Sequence, residues 1–245
     1  MAFDIIRFDT DTALARSAAA EWILHLKEVA GNKTSPAFSY TVALSGGRIT
    51  KTFFAELVSQ INADPSDFKL SILPGIHFFW ADERCVLPTD PENNYLMARD
   101  LLFLPLGILE KNIHRIEGEL GDNEAVLKAT ADLNMFASHD NGLPVLDMIF
   151  LGMGEDGHVA SLFPGEDEEI MKNPAIFRAV TAVKPPPRRI TLGYSTIIAA
   201  KQVWILASGK GKETSFNDAV SSVKKNPLGR VIGNRLFSKV LTDIH

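Results

Sequence analysis

Apolar residues recur along this chain in two alternating patterns. Short, nearly unbroken apolar runs occupy residues 3–8, 39–44, 76–81, 148–151 and 202–207. Runs of that length and continuity read as strands buried on both faces, as in a parallel sheet. Residues 111–116 and 178–183 read as two further strands. Between them lie stretches with a 3.6-residue period. Asp9-Thr10-Asp11-Thr12 supplies N-cap candidates for a helix to about Ala30, with Ala15, Ala19, Trp22, Leu26 and Val29 on one face and Gly31-Asn32 ending it. Phe53, Phe54, Leu57, Val58 and Ile61 mark a second helix, and another starts near Asn94 and runs through Leu102. Residues 121–139 form a helix with Ala125, Leu127, Ala131, Leu133, Met135 and Phe136 as its apolar set, and Asn141-Gly142 is a turn. Residues 195–200 and 212–220 read as helices, and the acidic stretch 166–173 as a surface helix or lid. Strands alternating with helices predict an α/β fold, a mostly parallel Rossmann-like sheet flanked by helices with right-handed crossovers.

Candidate chemistry sits where strands end in glycines or charges. The run 148–151 breaks into Gly152-x-Gly154-x-x-Gly157, followed at once by His158. Glycines past a strand end admit close backbone approach, and open α/β sheets bind ligands beyond the carboxyl ends of their strands. His158 can act as a general base near neutrality, and Asp156, two residues earlier, could orient its imidazole. The glycine spacing also occurs in dinucleotide-binding loops. Here no long helix clearly opens at Gly157 and Pro164 soon interrupts the chain, so nucleotide binding is not expected. A lone histidine after a strand more often serves a structural hydrogen bond, so this segment alone favours a structural role.

The second run ends in Ser45-Gly46-Gly47-Arg48-Ile49-Thr50 before a helix. A strand, a glycine pair and a helix start make an anion site, though a simple tight turn fits equally well. The third run ends in Asp82-Glu83-Arg84, charges that must be solvated or paired. Ser208-Gly209-Lys210-Gly211-Lys212 looks like a phosphate loop but lacks the Walker spacing, and reads as the start of a helix. Lys184-Pro185-Pro186-Pro187-Arg188-Arg189 is a stiff, basic loop. His77, His114 and His139 show no spacing to acids or to each other that implies metal ligation.

Together these blocks resemble the 6-phosphogluconolactonases. Gly152-Met-Gly-Glu-Asp-Gly-His-Val-Ala-Ser-Leu-Phe-Pro164 is similar to the family's most characteristic motif, whose histidine is regarded as the base that activates water. Residues 45–50 resemble its Ser-Gly-Gly-Ser-Thr-Pro phosphate loop, with Arg48, Ile49 and Thr50 replacing the last three residues. Residues 78–88 and Asn94 resemble the Trp-x-Asp-Glu-Arg-x-Val-Pro block and its downstream Asn, and residues 184–192 the Lys-Pro-Pro-x-x-Arg-Ile-Thr-Leu block. The resemblance implies a sugar-phosphate isomerase/lactonase type fold, a single domain over 1–245 with a small lid-like insertion, a closing helix near 227–232 and an edge strand at 238–243. It implies hydrolysis of 6-phospho-D-glucono-1,5-lactone in the oxidative pentose phosphate pathway. His158 and Asp156 would be catalytic. Ser45, Gly46, Gly47, Arg48, Asp82, Arg84, Asn94, Lys184 and Arg189 would bind substrate, with Arg188 a further candidate. No cofactor and no metal are expected. An amino-sugar phosphate deaminase-isomerase and a non-catalytic sugar-phosphate sensor remain open.

Composition narrows the partners. The 245 residues are 46% hydrophobic and 22% charged, ordinary for a globular chain. A net charge of −5 argues against a nucleic-acid partner, and the apolar runs are too short for a membrane span. The start, Met1-Ala-Phe-Asp-Ile-Ile-Arg-Phe8, has an early acid and no long apolar core, so no signal peptide is expected. The single cysteine, Cys85, is expected to be inert packing and fits a reducing compartment, simplest the cytoplasm. Oligomeric state is left open, and a monomer is compatible.

Overall fold

The computed structural model describes residues 2–31, 38–221 and 226–245. The chain opens with β1 (Ala2–Arg7), α1 (Asp11–Gly31), β2 (Tyr40–Leu44), α2 (Arg48–Ala63) and α3 (Phe68–Ser71). It continues through β3 (Ile76–Trp80), β4 (Asp82–Arg84), α4 (Asn94–Ala98), α5 (Leu104–Leu106) and α6 (Asp122–Phe136). The hairpin β5 (Ser138–Asp140) and β6 (Leu143–Val145) precedes β7 (Met148–Gly152) and α7 (Glu168–Lys172). Then come β8 (Phe177–Thr181), β9 (Arg188–Leu192), α8 (Tyr194–Ala199), β10 (Gln202–Ala207), α9 (Glu213–Ser221), α10 (Pro227–Gly233) and β11 (Phe237–Thr242).

Among the described residues the central sheet has six strands in the order β1-β11-β10-β7-β2-β3, all pairs parallel. The expected α/β class is met. The unbroken apolar runs take the middle of the sheet because both their faces are covered: every residue of β2 is buried, as are Met148 to Leu151 of β7. Phe150 sits at the heart of the core, its ring centroid 4.7 Å from Phe53 of α2, 5.1 Å from Trp22 of α1 and 5.8 Å from Trp204 of β10. Asp147, just before β7, accepts the Thr41 backbone N–H at 2.8 Å and so fixes the register of β7 on β2. The chain runs outward from β2 to β3 in one direction and from β7 through β10 to β11 in the other. Between β2 and β7 lies the switch point of the sheet, where such folds bind ligands.

Several expectations change. Residues 111–116 are not a strand. Ile113 makes only an isolated bridge to Phe78, and the Asn112 side chain instead donates to the Pro74 and Ile76 carbonyls at 2.9 and 2.7 Å. The strand at 238–243 is not an edge. β11 lies between β1 and β10, which is why Ser238, Val240, Leu241 and Thr242 are buried, and β1 forms that edge. The helix from Asn94 through Leu102 breaks into α4, a π-turn at Arg99–Phe103 and α5, where Pro105 follows Leu104. The helix expected at 121–139 stops at Phe136, and His139 belongs to the β5–β6 hairpin, whose turn uses positive φ at Asn141 and Gly142. The strand expected at 178–183 starts at Phe177 and ends at Thr181. The acidic stretch holds α7, which buries no residue. Gly31 is the last residue of α1, while Asn32 lies outside the described residues.

A second sheet has no signature in the apolar pattern of the chain. β4 pairs antiparallel with β9, and β9 with β8, in the order β4-β9-β8. It leans against the carboxyl end of the parallel sheet: the Leu192 N–H donates to the Ala81 carbonyl at 2.8 Å. Three residues of β4 are too few to carry an alternation, so the charged stretch looked like a strand terminus.

Candidate active site

At the carboxyl ends of β2, β3, β7 and β10 opens a cleft of ≈ 220 Å³. The glycine loop forms its floor. Gly47 adopts φ 106°, a conformation only glycine takes readily, and turns the chain into α2. No side chain caps α2, which leaves its first-turn N–H groups for an anion. Ser45 does not offer its hydroxyl to the cleft, because it donates to the Phe150 carbonyl at 2.9 Å and ties the loop to β7. Gly46 must be glycine because a Cβ there would lie 2.0 Å from Asn94 Oδ1. Asn94 thus packs beneath the loop, and its Nδ2 donates to the Asp82 carbonyl at 2.9 Å. The cap of α4 is Asn93, whose side chain accepts the Leu96 N–H at 3.0 Å.

Cations gather on this floor. Arg48 bends over the next loop, where a Cβ at Gly209 would meet its Nη2 at 2.3 Å. Lys212 reaches the same place, donating from Nζ to the Met153 carbonyl at 2.6 Å. Burial holds the Lys212 pKa below its ordinary value, and Arg48 lowers it further. Arg84 and Arg189 also line the cleft. Arg188 does not join them. Successive residues of β9 face opposite ways, and Arg188 turns outward to Asp122 at 2.7 Å. Lys184 also stays outside. It sits in the β8–β9 turn, three-quarters exposed, 3.5 Å from Glu155, and offers only its carbonyl to Arg189.

The loop after β7 delivers the histidine. Gly154 accepts the Gly157 N–H and donates its own to the His158 carbonyl, so the chain folds back on itself. A Cβ on Gly154 would lie 2.1 Å from the His158 ring. Gly157 takes φ 82° with Asn226 packed against it, and Leu228 donates to its carbonyl at 3.1 Å, so α10 supports the turn. His158 Nδ1 is 2.6 Å from Asp156 Oδ1. An ionised carboxylate can only accept, so Nδ1 carries the proton and Nε2 keeps its lone pair. Burial opposes ionisation of Asp156, but the charge and hydrogen bonds of His158 outweigh it and hold the Asp156 pKa low. Ala160, next in the cleft wall, has φ 49°, a conformation unusual for a residue with a Cβ.

Asp82 lines the same cleft, buried, its Oδ2 accepting the Ser161 hydroxyl at 2.6 Å. The arrangement therefore offers one base, one buried carboxylate and four cations around a glycine loop. Of the predicted residues, Ser45, Gly46, Gly47, Arg48, Asp82, Arg84, His158 and Arg189 line the cleft, and Asp156 and Asn94 brace it from behind. Lys212, Ser208 and Ser161 were missed. For the first two the signal was present, a strand followed by a glycine-rich basic turn. Cys85 fits its inert role, since burial and then Asp122 push its thiol up to about 11. His77 and His114, distant in sequence, meet at 3.0 Å, yet among the described residues no third ligand makes a metal site with them. No helix among the described residues is long and apolar enough to cross a membrane.

Residues 9–239 match the family model described as glucosamine-6-phosphate isomerases/6-phosphogluconolactonase. A 6-phosphogluconolactonase of Aggregatibacter actinomycetemcomitans is 34% identical over 190 residues, covering 76% of this chain and 75% of that protein. A solved structure described as devB protein superimposes with a TM-score of 0.82 at 27% identity, covering 98% of this chain and 96% of its own. A monomeric glucosamine-6-phosphate deaminase superimposes with a TM-score of 0.78 at 18% identity, covering 99% and 97%, so the fold alone does not separate the two chemistries.

Proposed function

The chain belongs to the glucosamine-6-phosphate isomerase/6-phosphogluconolactonase family, and on that premise we propose that it hydrolyses 6-phospho-D-glucono-1,5-lactone to 6-phospho-D-gluconate. In a cell this would be the lactone-opening step of the oxidative pentose phosphate pathway. The observation that carries the reading is the 2.6 Å contact of His158 Nδ1 with Asp156, which leaves Nε2 as an acceptor in a cleft that Arg48, Arg84, Arg189 and Lys212 also line.

The phosphate is held by the open N–H groups of the Gly46-Gly47 loop together with Arg48, Lys212, Arg84 and Arg189. Dianion binding there fixes the sugar and presents its lactone carbonyl to the His158 end of the cleft. His158 Nε2 takes a proton from water as the water oxygen attacks the carbonyl carbon. Asp156 stabilises the imidazolium that forms. The carbonyl oxygen becomes an oxyanion, stabilised by nearby cations or backbone N–H groups. When the tetrahedral intermediate collapses, the bond to the ring oxygen breaks and His158 returns the proton to that oxygen. Arg48, in place of the hydroxyl residue of the resembling loop, supplies charge to the phosphate. No step calls for a metal ion or an organic cofactor.

One observation keeps a second chemistry in view. Asp82 places a buried carboxylate in the cleft, and proton transfer between adjacent sugar carbons needs such a group. Against that reading, Val159-Ala-Ser-Leu-Phe-Pro164 replaces the acid-bearing segment that follows the histidine in the deaminases. Acceleration of lactone hydrolysis above its spontaneous rate, with no ammonia released from glucosamine 6-phosphate, tests the choice.

A further inference from the structure

Glu83 lies behind the cleft without lining it. Its side chain is fully buried, at 0% exposure. Its carboxylate accepts three backbone N–H groups: Oε1 takes Arg84 at 2.7 Å and Asn94 at 2.8 Å, and Oε2 takes Tyr95 at 2.8 Å. Burial pushes its pKa up to about 7, the three N–H groups pull the other way, and the nearby charge of Asp82 adds to the rise. Burying a carboxylate is costly, and the first turn of α4 already has its cap in Asn93. The donors explain the placement. Arg84 forms one wall of the cleft. Asn94 holds the Asp82 carbonyl and fills the space beneath Gly46. Two pieces of the anion-binding end, from β4 and from α4, therefore meet on one carboxylate.

We propose that Glu83 is a positioning residue of the phosphate subsite. It clamps β4 to the start of α4, so that the Arg84 side chain and the Asn94–Gly46 contact keep one register. The proposal rests on reading the cationic end of the cleft as the phosphate site. It makes a prediction opposite in sign to that of a plain buried charge. A negative charge near a bound dianion repels it, so neutralising Glu83 tightens anion binding if charge is all that matters. If the clamp matters, neutralising it loosens binding.

The test is Glu83→Gln. It keeps the volume and one acceptor oxygen, but sets an amide N–H₂ against the Tyr95 N–H, donor against donor. Expected are a KM for the phosphorylated lactone raised about tenfold or more, a kcat within about threefold, and kcat/KM on unphosphorylated gluconolactone unchanged within about twofold. Affinity for inorganic sulfate should fall in parallel. Equal losses on both lactones, or sulfate affinity unchanged or tightened, overturn the proposal. Should the variant not fold, sulfate affinity of the unmodified protein from about pH 8 to about pH 5.5 reads the same clamp, because sulfate keeps its charge over this range. The groups around Glu83 are Asp82, Arg84 and Cys85 on its own segment and Tyr95 on α4. In the cleft stand His158, Lys212, Arg48 and Arg189. Any proton gained by these cleft groups adds positive charge and strengthens anion binding, so a fall in affinity on acidification reads loosening of the clamp. Weaker sulfate binding at low pH supports the clamp, and flat or tighter binding overturns it. A protein that bound sulfate in this way yet opened no lactone would leave the clamp standing and remove the functional reading.

Discussion

Arg84 and Arg189 stand directly opposite each other on the antiparallel pair β4 and β9. Like charges in that position repel. Burial, followed by Arg84, holds the Arg189 pKa below the usual arginine value. Backbone carbonyls are their main partners: Arg84 Nη1 donates to Glu92 O at 2.6 Å, and Arg189 Nε and Nη2 to Pro186 O and Lys184 O at 3.0 and 3.3 Å. A dianion bound beside the two guanidinium groups would relieve the repulsion. Arg84→Ala should therefore weaken 6-phosphogluconate binding by about 1.5–3 kcal/mol, the range for a charge-assisted hydrogen bond. Calorimetric titration measures this. The reaction of unphosphorylated gluconolactone should change much less, and equal losses on the two substrates would assign Arg84 a folding role.

His158 rests on a glycine. His158→Ala should cut kcat by roughly two or more orders of magnitude with 6-phosphogluconate binding largely intact. Gly154→Ala tests the same geometry without touching the imidazole. Its Cβ would fall 2.1 Å from the ring, so the ring must move, and misplacement of about 1 Å costs on the order of a hundredfold in rate. Unchanged kcat in both variants would take His158 out of the mechanism.

How much of this could be read from the chain follows from where each signal resides. Local sequence carried the parallel strands, because a buried strand is a continuous apolar run, as in Ile149-Phe150-Leu151. It carried His158 with Asp156, because two residues of separation suffice for the contact. Lys184 shows the limit. A position in a basic block says nothing of direction, and the turn between β8 and β9 sends its side chain outward to Glu155. Arg188 and Arg189 were separable only once β9 was known to be a strand, since its alternation turns one out and the other in. The loop that carries Lys212 lacks the Walker spacing, and its only sequence signal is a basic turn after a buried strand. The pairing of Ser161 with Asp82 spans 79 residues and has no local signature.

Lys212 then becomes a prediction in its own right. Lys212→Met keeps the length of the side chain and removes its charge. The KM for the phosphorylated lactone should rise about tenfold or more, with a smaller effect on kcat, as expected for an interaction made alike in ground and transition states. Steady-state kinetics check this. A fall in kcat at unchanged KM would move Lys212 to the reacting end of the cleft.

A second histidine cluster sets an acid limit on stability. His114 stacks on Phe79 and packs at a tilt against Phe136, with ring centroids 4.5 and 4.3 Å away, and meets His77 at 3.0 Å. Burial, and then the neighbouring His77, hold the His114 pKa down to about 4, while burial and then Lys111 lower that of His77. Both are neutral in the folded state at a pH where the unfolded chain, with histidine near 6.5, is protonated. The stabilisation is present above about pH 6.5 and is lost as pH falls toward about 4. Urea midpoints measured across that window should decline, and His114→Phe should flatten the slope. A slope unchanged in the variant would place the acid sensitivity elsewhere.

Asp82 decides between the two chemistries the fold can host. Moving a proton between adjacent sugar carbons requires a carboxylate free to exchange protons with the substrate. Lactone hydrolysis requires one base, one water and an oxyanion site. In this cleft Asp82 already accepts the Ser161 hydroxyl at 2.6 Å, and Ser161, Leu162 and Phe163 follow the histidine loop where an acid would serve deamination. Phe163 packs against His158 at a ring distance of 5.1 Å. The purified protein should accelerate hydrolysis of freshly made 6-phosphogluconolactone, and should continue to do so in excess chelator. It should release no ammonia from glucosamine 6-phosphate. Because the lactone opens unaided, the rate must be read against a no-enzyme blank and against His158→Ala. Asp82→Asn separates the roles further: loss of lactone hydrolysis comparable to that of His158→Ala would make Asp82 part of the reacting machinery. Ammonia release without lactone opening would assign the cleft to deamination, and activity on neither substrate would leave it as a sugar-phosphate sensor.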